Sequence, residues 1–251
     1  MRHMPNPSTT PAPPPSTATS PRPRRTQAER TAETRAKLLD ATVESLIELG
    51  YAGTTTIEVC RRSGVSHGSL QHHFGKRDSL LGAALEHVHG RLRGRVVDEL
   101  ESRPAGPARI EAMVDVMWSA FGAREFKAVL ELWLAAANQP ALSWAVWPEA
   151  NAFDSNIGPL SEQLFPEFAE RVPDFDVYVS LLFQALQGMG LVCATLPIGP
   201  GDPEQRERVR ALLTRMLVDA YEAGGAGTAD QPDAADAAPG TAGTAGSDSA
   251  R

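Results

Sequence analysis

Cysteine is scarce in this chain of 251 residues, which has only two. Cys60 and Cys193 lie far apart in the sequence and match no metal-ligand or redox spacing. A small secreted fold held by disulfide bonds is excluded, because such folds need several paired cysteines. We therefore expect a reducing, cytoplasmic environment and no metal or other cofactor.

Large apolar side chains are absent from both ends of the chain. Residues 5–29 and residues 224–251 contain no Leu, Ile, Val, Phe, Met, Trp or Tyr. Such segments bury too little apolar surface to offset the conformational entropy that is lost on ordering. We expect a disordered basic N-terminal arm over residues 1–29 and a disordered acidic tail over residues 224–251.

Targeting and membrane signals are weak. The N-terminus lacks the apolar region of a secretory signal peptide. No charged residue occurs between Asp176 and Asp202, and this stretch is long enough to span a bilayer. It also contains serine, glutamine, glycine and proline, however, and its apolar residues fall into a stripe. We expect an interface helix of a soluble protein, with no membrane partner.

Motifs for catalysis and metal binding are missing. The chain contains no nucleophile elbow, P-loop, zinc motif or dinucleotide fingerprint. Five histidines lie between His67 and His89, but His87 and His89 are two apart on a predicted helix and point to different faces. The adjacent His72 and His73 diverge in the same way. We expect neither an enzyme nor a metal site.

Helical periodicity, in contrast, runs through the whole central part of the chain. No segment alternates apolar and polar residues in the manner of a strand, whereas apolar residues recur at helical spacing. The sequence predicts an all-α protein. Helices are expected at about residues 31–49, 56–63, 67–74, 77–102, 108–121, 124–138, 141–168, 175–196 and 203–223. The seventh is expected to break near Gly158 and Pro159.

Two of these helices are short and only three residues apart. Thr55 and Glu58 have the spacing of a capping box, Gly64 ends the first helix, and Ser66 caps the second. Two short helices joined by a glycine-containing turn are typical of a helix-turn-helix. The charge distribution fits an anionic partner, since residues 1–100 carry a net charge of +4 and residues 101–251 one of −11.

The second short helix has the two faces that DNA binding requires. Its apolar positions, Val65, Leu70 and Phe74, are spaced to pack against the preceding helices. The residues left facing outward, where a helix in the major groove meets base edges and phosphates, are His67, Ser69, Gln71 and His72. Gly68 permits close approach of a sugar-phosphate strand. Gln71 is the side chain best suited to a bidentate contact with adenine.

The segment "RAKLLDATVESLIELGYAGTTTIEVCRRSGVSHGSLQHHFGKRDSLL" resembles the N-terminal domain of the TetR family of bacterial regulators. The match includes Gly50-Tyr51, Gly64-Val65-Ser66 and His73-Phe74. This resemblance implies a three-helix helix-turn-helix domain over residues 30–78 and a larger helical ligand-binding and dimerisation domain over residues 79–223. It also implies a homodimer that binds a double-stranded DNA operator, most often as a repressor, and releases it when a small-molecule effector binds.

The sequence departs from the family pattern at three positions near the predicted DNA surface. Gln71 replaces the usual Tyr, and Lys76 stands where a capping Ser or Asn is usual. Arg77 takes the place of a lysine that meets a phosphate in the family. The expected DNA-binding residues are Thr54, Thr55, Ser66, His67, Gly68, Ser69, Gln71, His72, His73 and Arg77. The arginines at positions 22, 24 and 25 either reach the DNA or only keep the arm soluble.

All four tryptophans fall within a short central segment of the net-negative domain. Most must be core residues, but an apolar cavity between helices is the usual ligand site in such a bundle. The expected ligand-binding residues are Met117, Trp118, Phe121, Glu131, Trp133, Trp144, Trp147 and Gln184. The composition favours a flat, largely apolar effector that is neutral or cationic, with an anionic one as the alternative.

The last two predicted helices carry narrow apolar stripes. Paired across a two-fold axis, they would form a four-helix dimer interface. The expected interface residues are Leu182, Leu186, Met189, Cys193, Val209, Leu213, Met216 and Ala220. The alternative is burial of these stripes within one chain. A DNA-bending protein without an effector remains the second functional hypothesis, which a core with no cavity would favour.

Overall fold

The structure, a computed structural model, describes residues 26–195 and 202–228, with side chains as far as residue 224. Over these ranges the chain forms ten helices and no strand, which confirms the predicted all-α class, although the sequence predicts nine helices. They are α1 (Gln27–Gly53), α2 (Thr56–Ser63), α3 (His67–Phe74), α4 (Arg77–Glu101), α5 (Pro107–Phe121), α6 (Glu125–Asn138), α7 (Pro140–Leu164), α8 (Pro166–Arg171), α9 (Phe175–Thr195) and α10 (Pro203–Thr228).

Local capping signals determine where several helices begin and end. The bounds of α2 and α3 are those that the sequence predicts. The side chains of Thr26 and Glu29 form a capping box at the start of α1. Residues 27–29, which we assigned to the arm, are therefore helical. At the other end of the chain, α10 continues to Thr228, five residues beyond the predicted domain boundary at residue 223.

The predicted break in the seventh helix is in the wrong place. Helix α7 runs through Gly158 and Pro159 and ends at Leu164. A proline clashes with the Cβ of the preceding residue when that residue is helical, and Gly158 has no Cβ to clash. Phe165 does have one, precedes Pro166 and leaves the helical region with φ −133° and ψ 54°. Trp147 also has a Cβ and precedes Pro148 yet stays inside α7, so this clash favours the turn at Phe165 but does not by itself determine it.

One continuous apolar core joins the N-terminal helices to the larger helical domain. Leu46 of α1, Leu85 of α4 and Leu132 of α6 are each at most 1% exposed and belong to it. Helix α4 packs against α1, α5, α6 and α7 and so lies at the centre of the molecule. At Gly82 a Cβ would lie 2.5 Å from the carbonyl oxygen of Ala145, so this glycine lets α4 and α7 approach closely.

Helix α9 is the one helix within residues 26–195 and 202–228 that is long and apolar enough to cross a membrane by length and composition. Its inner face packs against α5, α6, α7 and α8. Burial in the bundle explains that face, as the apolar side chains of Leu182 and Leu186 are at most 1% exposed. The outer face of α9 is also partly apolar and is described with the candidate interface below.

His89 is a buried titratable side chain on α4. Its ring is stacked on that of Phe153 of α7, with 4.1 Å between the centroids, and the residue is 7% exposed. Burial, with a smaller contribution from Arg93, lowers the pKa of His89 from 6.5 to about 4. The imidazole is therefore neutral at pH 7, and protonating it costs folding free energy.

This shift predicts an acid-sensitive contribution to stability. Between pH 6.5 and pH 4 the unfolded chain binds a proton at His89 that the folded chain does not. The free energy of unfolding should fall over this window by up to about 3 kcal/mol through this group alone. Denaturant titrations at pH 7, 5.5 and 4 should show a weaker pH dependence for His89→Gln than for the wild type. His67→Gln, at an exposed position on α3, is the control, and equal pH profiles for all three proteins would contradict the assignment.

Candidate nucleic-acid interface and apolar clefts

Helix α3 presents an exposed polar face at the surface of the N-terminal domain. Leu70 is buried at 1% exposure and, with the half-buried Val65 and Phe74, packs the other side of the helix onto the core. The Ser66 hydroxyl accepts the N–H of Ser69 at 3.2 Å and caps the helix. The residues left fully exposed on this helix are His67, Gly68, Gln71 and His72.

The exposed face is open enough for close approach of another molecule. A Cβ built on Gly68 would have nothing within 4 Å. Ser69 and His73 are half-buried and border this face, and the ring of His73 lies between those of His72 and Phe74. We call His67, Gly68, Gln71 and His72 the reading face of α3. Its donors and acceptors suit base edges and phosphates.

Thr55 lies directly before α2 and caps the first turn of that helix. Its hydroxyl oxygen accepts the N–H of Glu58 at 3.2 Å, which leaves the hydroxyl proton for an external acceptor. The second half of the predicted capping box does not form, because the Thr55 N–H donates to Gly53. The Glu58 carboxylate instead accepts from Arg61 and Arg62, and these hydrogen bonds lower its pKa to about 2.

Two residues that we assigned to DNA have internal partners instead. Thr54 is 1% exposed, and its hydroxyl donates to the carbonyl of Gly50 at 2.8 Å. Arg77 donates to the carbonyls of Tyr51 and Thr54 at 2.6 and 2.8 Å. Its guanidinium also lies 4.3 Å from the centroid of the Tyr51 ring. Arg77 therefore ties α4 to the end of α1 through its Nε and Nη2 atoms.

Lys76 is a cation that the sequence reasoning treated only as a poor helix cap. It makes no side-chain cap hydrogen bond at the start of α4 and is exposed. Across the described part of the chain its ammonium has no partner. The sequence could have indicated this role of Lys76, because the residue directly follows the turn that ends α3. Lys76 is a better candidate for a phosphate contact than Arg77.

Helix α6 connects the larger domain to the end of α1. Lys127 donates to the carbonyl of Ile47 at 2.7 Å. Glu131, which we assigned to the ligand site, accepts the N–H of Tyr51 at 2.9 Å, and the Tyr51 hydroxyl donates to Gln139 at 2.7 Å. Glu131 is thus an inter-domain contact, and the sequence could not reveal this because the two residues are far apart along the chain.

Two small apolar clefts lie between the helices of the larger domain. The first, of about 50 Å³, we call the methionine cleft. It is lined by Leu92, Arg93, Val96, Leu100, Met113, Met117, Phe153, Asn156, Ile157, Leu160, Ser161, Leu164 and Phe183. The second, of about 40 Å³, we call the tryptophan cleft. It is lined by Val88, His89, Leu92, Arg95, Ala120, Phe121, Glu125, Phe126, Val129, Trp133, Phe153 and Gln187. Each has room for only a few water molecules.

The tryptophan cleft combines aromatic walls with an unused donor. Phe126 meets Phe121 and Trp133 edge to face, with centroid separations of 4.9 and 6.2 Å. The indole N–H of Trp133 is buried and has no hydrogen-bond partner in the described structure. A buried donor without a partner is costly. An acceptor on a bound molecule would remove that cost.

The structure brings only part of the predicted ligand set to these clefts. Met117 lines the methionine cleft, and Phe121 and Trp133 line the tryptophan cleft. Trp118 lies beneath the guanidinium of Arg206 instead. Gln184 lines a separate open groove between α7 and α9. Trp144 and Trp147 are 83% and 37% exposed and line neither cleft.

Two of the four α9 residues that we assigned to the dimer interface are buried inside the chain itself. Leu182 and Leu186 are at most 1% exposed and belong to the core of the chain itself. Met189 and Cys193 are half-buried. The exposed apolar residues of α9 are Val177, Leu181, Leu191 and Val192. Because α9 is apolar on both faces, the period of the stripe alone did not identify the outward side.

On α10 the exposed apolar residues are Val209 and Leu212, at 43% and 59%. Leu213, Met216 and Ala220 are half-buried, and the helix packs on α5 and α8. We call Val177, Leu181, Leu191 and Val192 of α9, with Val209 and Leu212 of α10, the outer apolar surface. Within the described residues no other part of the chain covers this surface.

Some of the sequence-based predictions lie outside these observations. The arginines at positions 22, 24 and 25, and the acidic tail from residue 229 onward, fall outside the described residues. In the ranges 26–195 and 202–228, no three side chains of His, Cys, Asp or Glu are grouped so that they could hold a metal ion.

Comparison with known proteins identifies the N-terminal region. The family model of the tetR family of bacterial regulatory proteins matches residues 38–84. The chain is 34% identical over 112 residues to the HTH-type transcriptional regulator BetI of Escherichia coli. That alignment covers 43% of this chain and 57% of BetI. The chain thus matches little more than half the length of this curated relative.

Solved structures share the fold over most of the chain. A transcriptional regulator from Rhodococcus sp. superposes with a TM-score of 0.60 at 22% identity, covering 74% of this chain and 96% of that one. The multidrug binding protein EbrR in complex with ethidium superposes with a TM-score of 0.50 at 25% identity, covering 72% and 98%. A helix-turn-helix domain followed by a larger helical domain is therefore a known arrangement.

The contacts of Arg77 predict that it stabilises the fold. Arg77→Ala removes two hydrogen bonds from a charged donor and the contact with the Tyr51 ring, so the free energy of unfolding should fall by about 2–3 kcal/mol. Lys76→Ala is the matched control, since the neighbouring cation has no partner and should change stability by less than about 0.5 kcal/mol. Denaturant titration measures both, and an Arg77→Ala protein as stable as Lys76→Ala would refute the tie.

Proposed function

The chain belongs to the TetR family of bacterial regulatory proteins, and on this premise we propose that it is a ligand-responsive, sequence-specific transcriptional regulator that acts as a repressor. The observation that carries the proposal is the reading face of α3, which is polar, exposed and capped while the other side of the helix is anchored by Leu70. The family does not consist of enzymes. We infer that the protein works in the cytoplasm, where its DNA is found.

In this proposal the reading face enters the major groove of an operator. Gln71 contacts a base, with adenine as the expected partner, because its amide offers one donor and one acceptor to the adenine edge. His67 and His72 contact neighbouring base edges or phosphates. Lys76 and the hydroxyl of Thr55 contact the backbone on either side, which positions α3 without adding sequence preference.

The proposed active form is a homodimer that uses the outer apolar surface. Monomeric proteins seldom leave large clusters of aliphatic side chains in water, so the exposed aliphatic residues of α9 and α10 favour self-association. A two-fold axis through it would present two copies of α3 to half-sites about 34 Å apart, one turn of DNA. EbrR and the Rhodococcus regulator share the fold on which this proposal is based, and the dimer contacts proposed here come from the exposed residues of this chain.

The proposed effector is a planar, largely apolar aromatic molecule. Support comes from the ring walls of the tryptophan cleft and from the unpaired N–H of Trp133. EbrR is complexed with ethidium, a planar aromatic cation. The cleft of this chain has Arg95 and Glu125 at its edge. Side chains of opposite sign at the edge favour a molecule without a strong net charge.

Two helices connect the clefts to the DNA-binding domain in this scheme. Helix α4 carries His89 and Leu92 at the clefts and Arg77 at the end of α1. Helix α6 has Phe126 and Trp133 in the tryptophan cleft, while Lys127 and Glu131 on its other side hold α1. An effector that binds one arrangement of these helices better than the other shifts the spacing of the reading helices.

The DNA part of the proposal is tested with Gln71→Ala and Lys76→Ala. DNA selected from a random pool by the wild type supplies the operator, and fluorescence anisotropy measures affinity for it and for its single-base variants. Gln71→Ala should lose about 1–3 kcal/mol at one base position and become indifferent to that base. Lys76→Ala should weaken binding to every sequence and reduce the slope against salt by about one. Wild-type discrimination in Gln71→Ala would refute the assigned reading role.

The dimer is tested with a matched pair of charged substitutions. Leu212→Glu on the outer apolar surface should produce monomers at concentrations where the wild type is dimeric, because a buried unpaired carboxylate opposes association. Leu134→Glu on α6 is the control, since Leu134 is 58% exposed, close to the 59% of Leu212, but lies outside that surface. Analytical ultracentrifugation reports the mass. A dimer that survives Leu212→Glu unchanged would exclude this surface.

A further inference from the structure

Phe153 of α7 occupies the point where three cavities meet. Its side chain lines the methionine cleft and the tryptophan cleft. It also lines an open polar groove of about 440 Å³ between α1, α4 and α7. We call this the entrance groove, and it is lined by Arg35, Glu86, His87, His89, Gly90, Arg91, Arg93, Glu149, Ala152 and Phe153. Phe153 thus borders the entrance groove and both apolar clefts.

The two clefts are too small to be effector sites as they stand. Volumes of about 50 and 40 Å³ compare with about 300 Å³ or more for typical small-molecule pockets. Leu92 and Phe153 line both clefts and form the partition between them. If the Phe153 ring moved aside, the two clefts and the space of the ring would become one apolar cavity that opens to the entrance groove.

The ring is held by contacts that another aromatic molecule can replace. It stacks on His89 with 4.1 Å between centroids and 21° between planes, and it meets Phe183 edge to face at 6.5 Å. Such ring pairs hold a ring only modestly beyond the effect of its burial, and a bound aromatic ring forms the same kind of pair. The residue is half-buried, so the ring can turn toward the groove without entering the core.

The helix that carries Phe153 is weakened just before it. Pro148 lies inside α7 and has no N–H, so the helical hydrogen bond to the carbonyl of Trp144 is missing. One fewer bond lowers the cost of a local change in the turn that leads to Phe153. The first half of α7 is held firmly, because Leu142 and Val146 are at most 1% exposed.

We propose that Phe153 is the gate of a single effector pocket, which rests on the ligand response proposed above. A planar, uncharged aromatic molecule with a hydrogen-bond acceptor enters from the entrance groove and displaces the Phe153 ring. It takes the place of that ring on the imidazole of His89 and joins the two clefts. Its acceptor atom pairs with the buried N–H of Trp133. The displaced stack changes the surroundings of α4 at His89, on the helix that Arg77 ties to α1.

The gate is tested in the full chain with N-phenyl-1-naphthylamine, an uncharged aromatic dye that fluoresces in apolar surroundings. Phe153→Ala removes the ring that must be displaced, so the dye should bind about five- to tenfold more tightly and associate faster. Phe153→Trp enlarges the gate and should slow association and weaken binding by about tenfold or more. Phe153→Leu, which keeps most of the apolar volume, should lie between the wild type and Phe153→Ala.

Phe175→Ala is the control, because it removes an aromatic ring that lines none of the three cavities, and it should leave dye binding unchanged. Stopped-flow association rates decide the outcome, since a cavity that is merely larger slows dissociation without speeding entry. Equal association rates for the wild type, Phe153→Ala and Phe153→Trp would overturn the gate, as would the absence of dye binding to Phe153→Ala.

Operator binding by the same proteins tests the gate and the proposed regulatory function independently of each other. If the dye follows the expected order of variants but leaves operator affinity unchanged, the gate is supported and the coupling to DNA is wrong. If the dye releases the operator equally from all variants, the regulatory function is supported and the gate is overturned.

Discussion

The C-terminal end of α1 is the point on which the arrangement of the two domains depends. Gly50 has φ +69° and turns the backbone there, and a Cβ at this position would lie 2.9 Å from the Glu131 carboxylate. The turn points the N–H of Tyr51 at that carboxylate and the carbonyl of Tyr51 at Arg77. The backbone of Tyr51, the residue directly after the turn, therefore binds both α6 and α4. Because α2 and α3 follow within a few residues, the position of the reading face is set by these bonds.

A second constraint is the tight packing around α4. Gly82 allows contact with the α7 backbone, and the leucines on the inner side of α4 are fully buried. Further along the same helix, His89 and Leu92 border clefts that contain little free volume. The helix is thus rigid near the DNA-binding domain and adjustable near the clefts. In the proposed function a change at the clefts is passed along α4, because packed side chains resist gradual deformation.

Local signals in the sequence predicted much of the fold. They could not predict the contacts between residues that are far apart in the sequence. The bounds of α2 and α3 follow from Ser66, Thr55 and Gly64, which act within three or four residues. Leu70 is apolar at the right spacing and is buried as expected. Arg77 and Glu131 were assigned to external partners because their internal partners are remote in sequence or are backbone carbonyls, which leave no trace in side-chain patterns. Leu182 was assigned to the dimer interface because, in a helix with two apolar faces, the sequence does not show which face points out of the chain.

Helix α6 shows how one amphipathic element can serve both sites. Phe126, Val129 and Trp133 recur every three or four residues on the side that lines the tryptophan cleft. Lys127 and Glu131 are four apart on the side that holds α1. Since a helix moves as a unit, any rotation that makes room beside Trp133 also moves the carboxylate that holds the Tyr51 N–H. In the proposed function the linkage is reciprocal, so an operator that fixes α3 would oppose the same rotation. The tryptophan cleft and the end of α1 share α6, and so neither can change its geometry without a cost at the other.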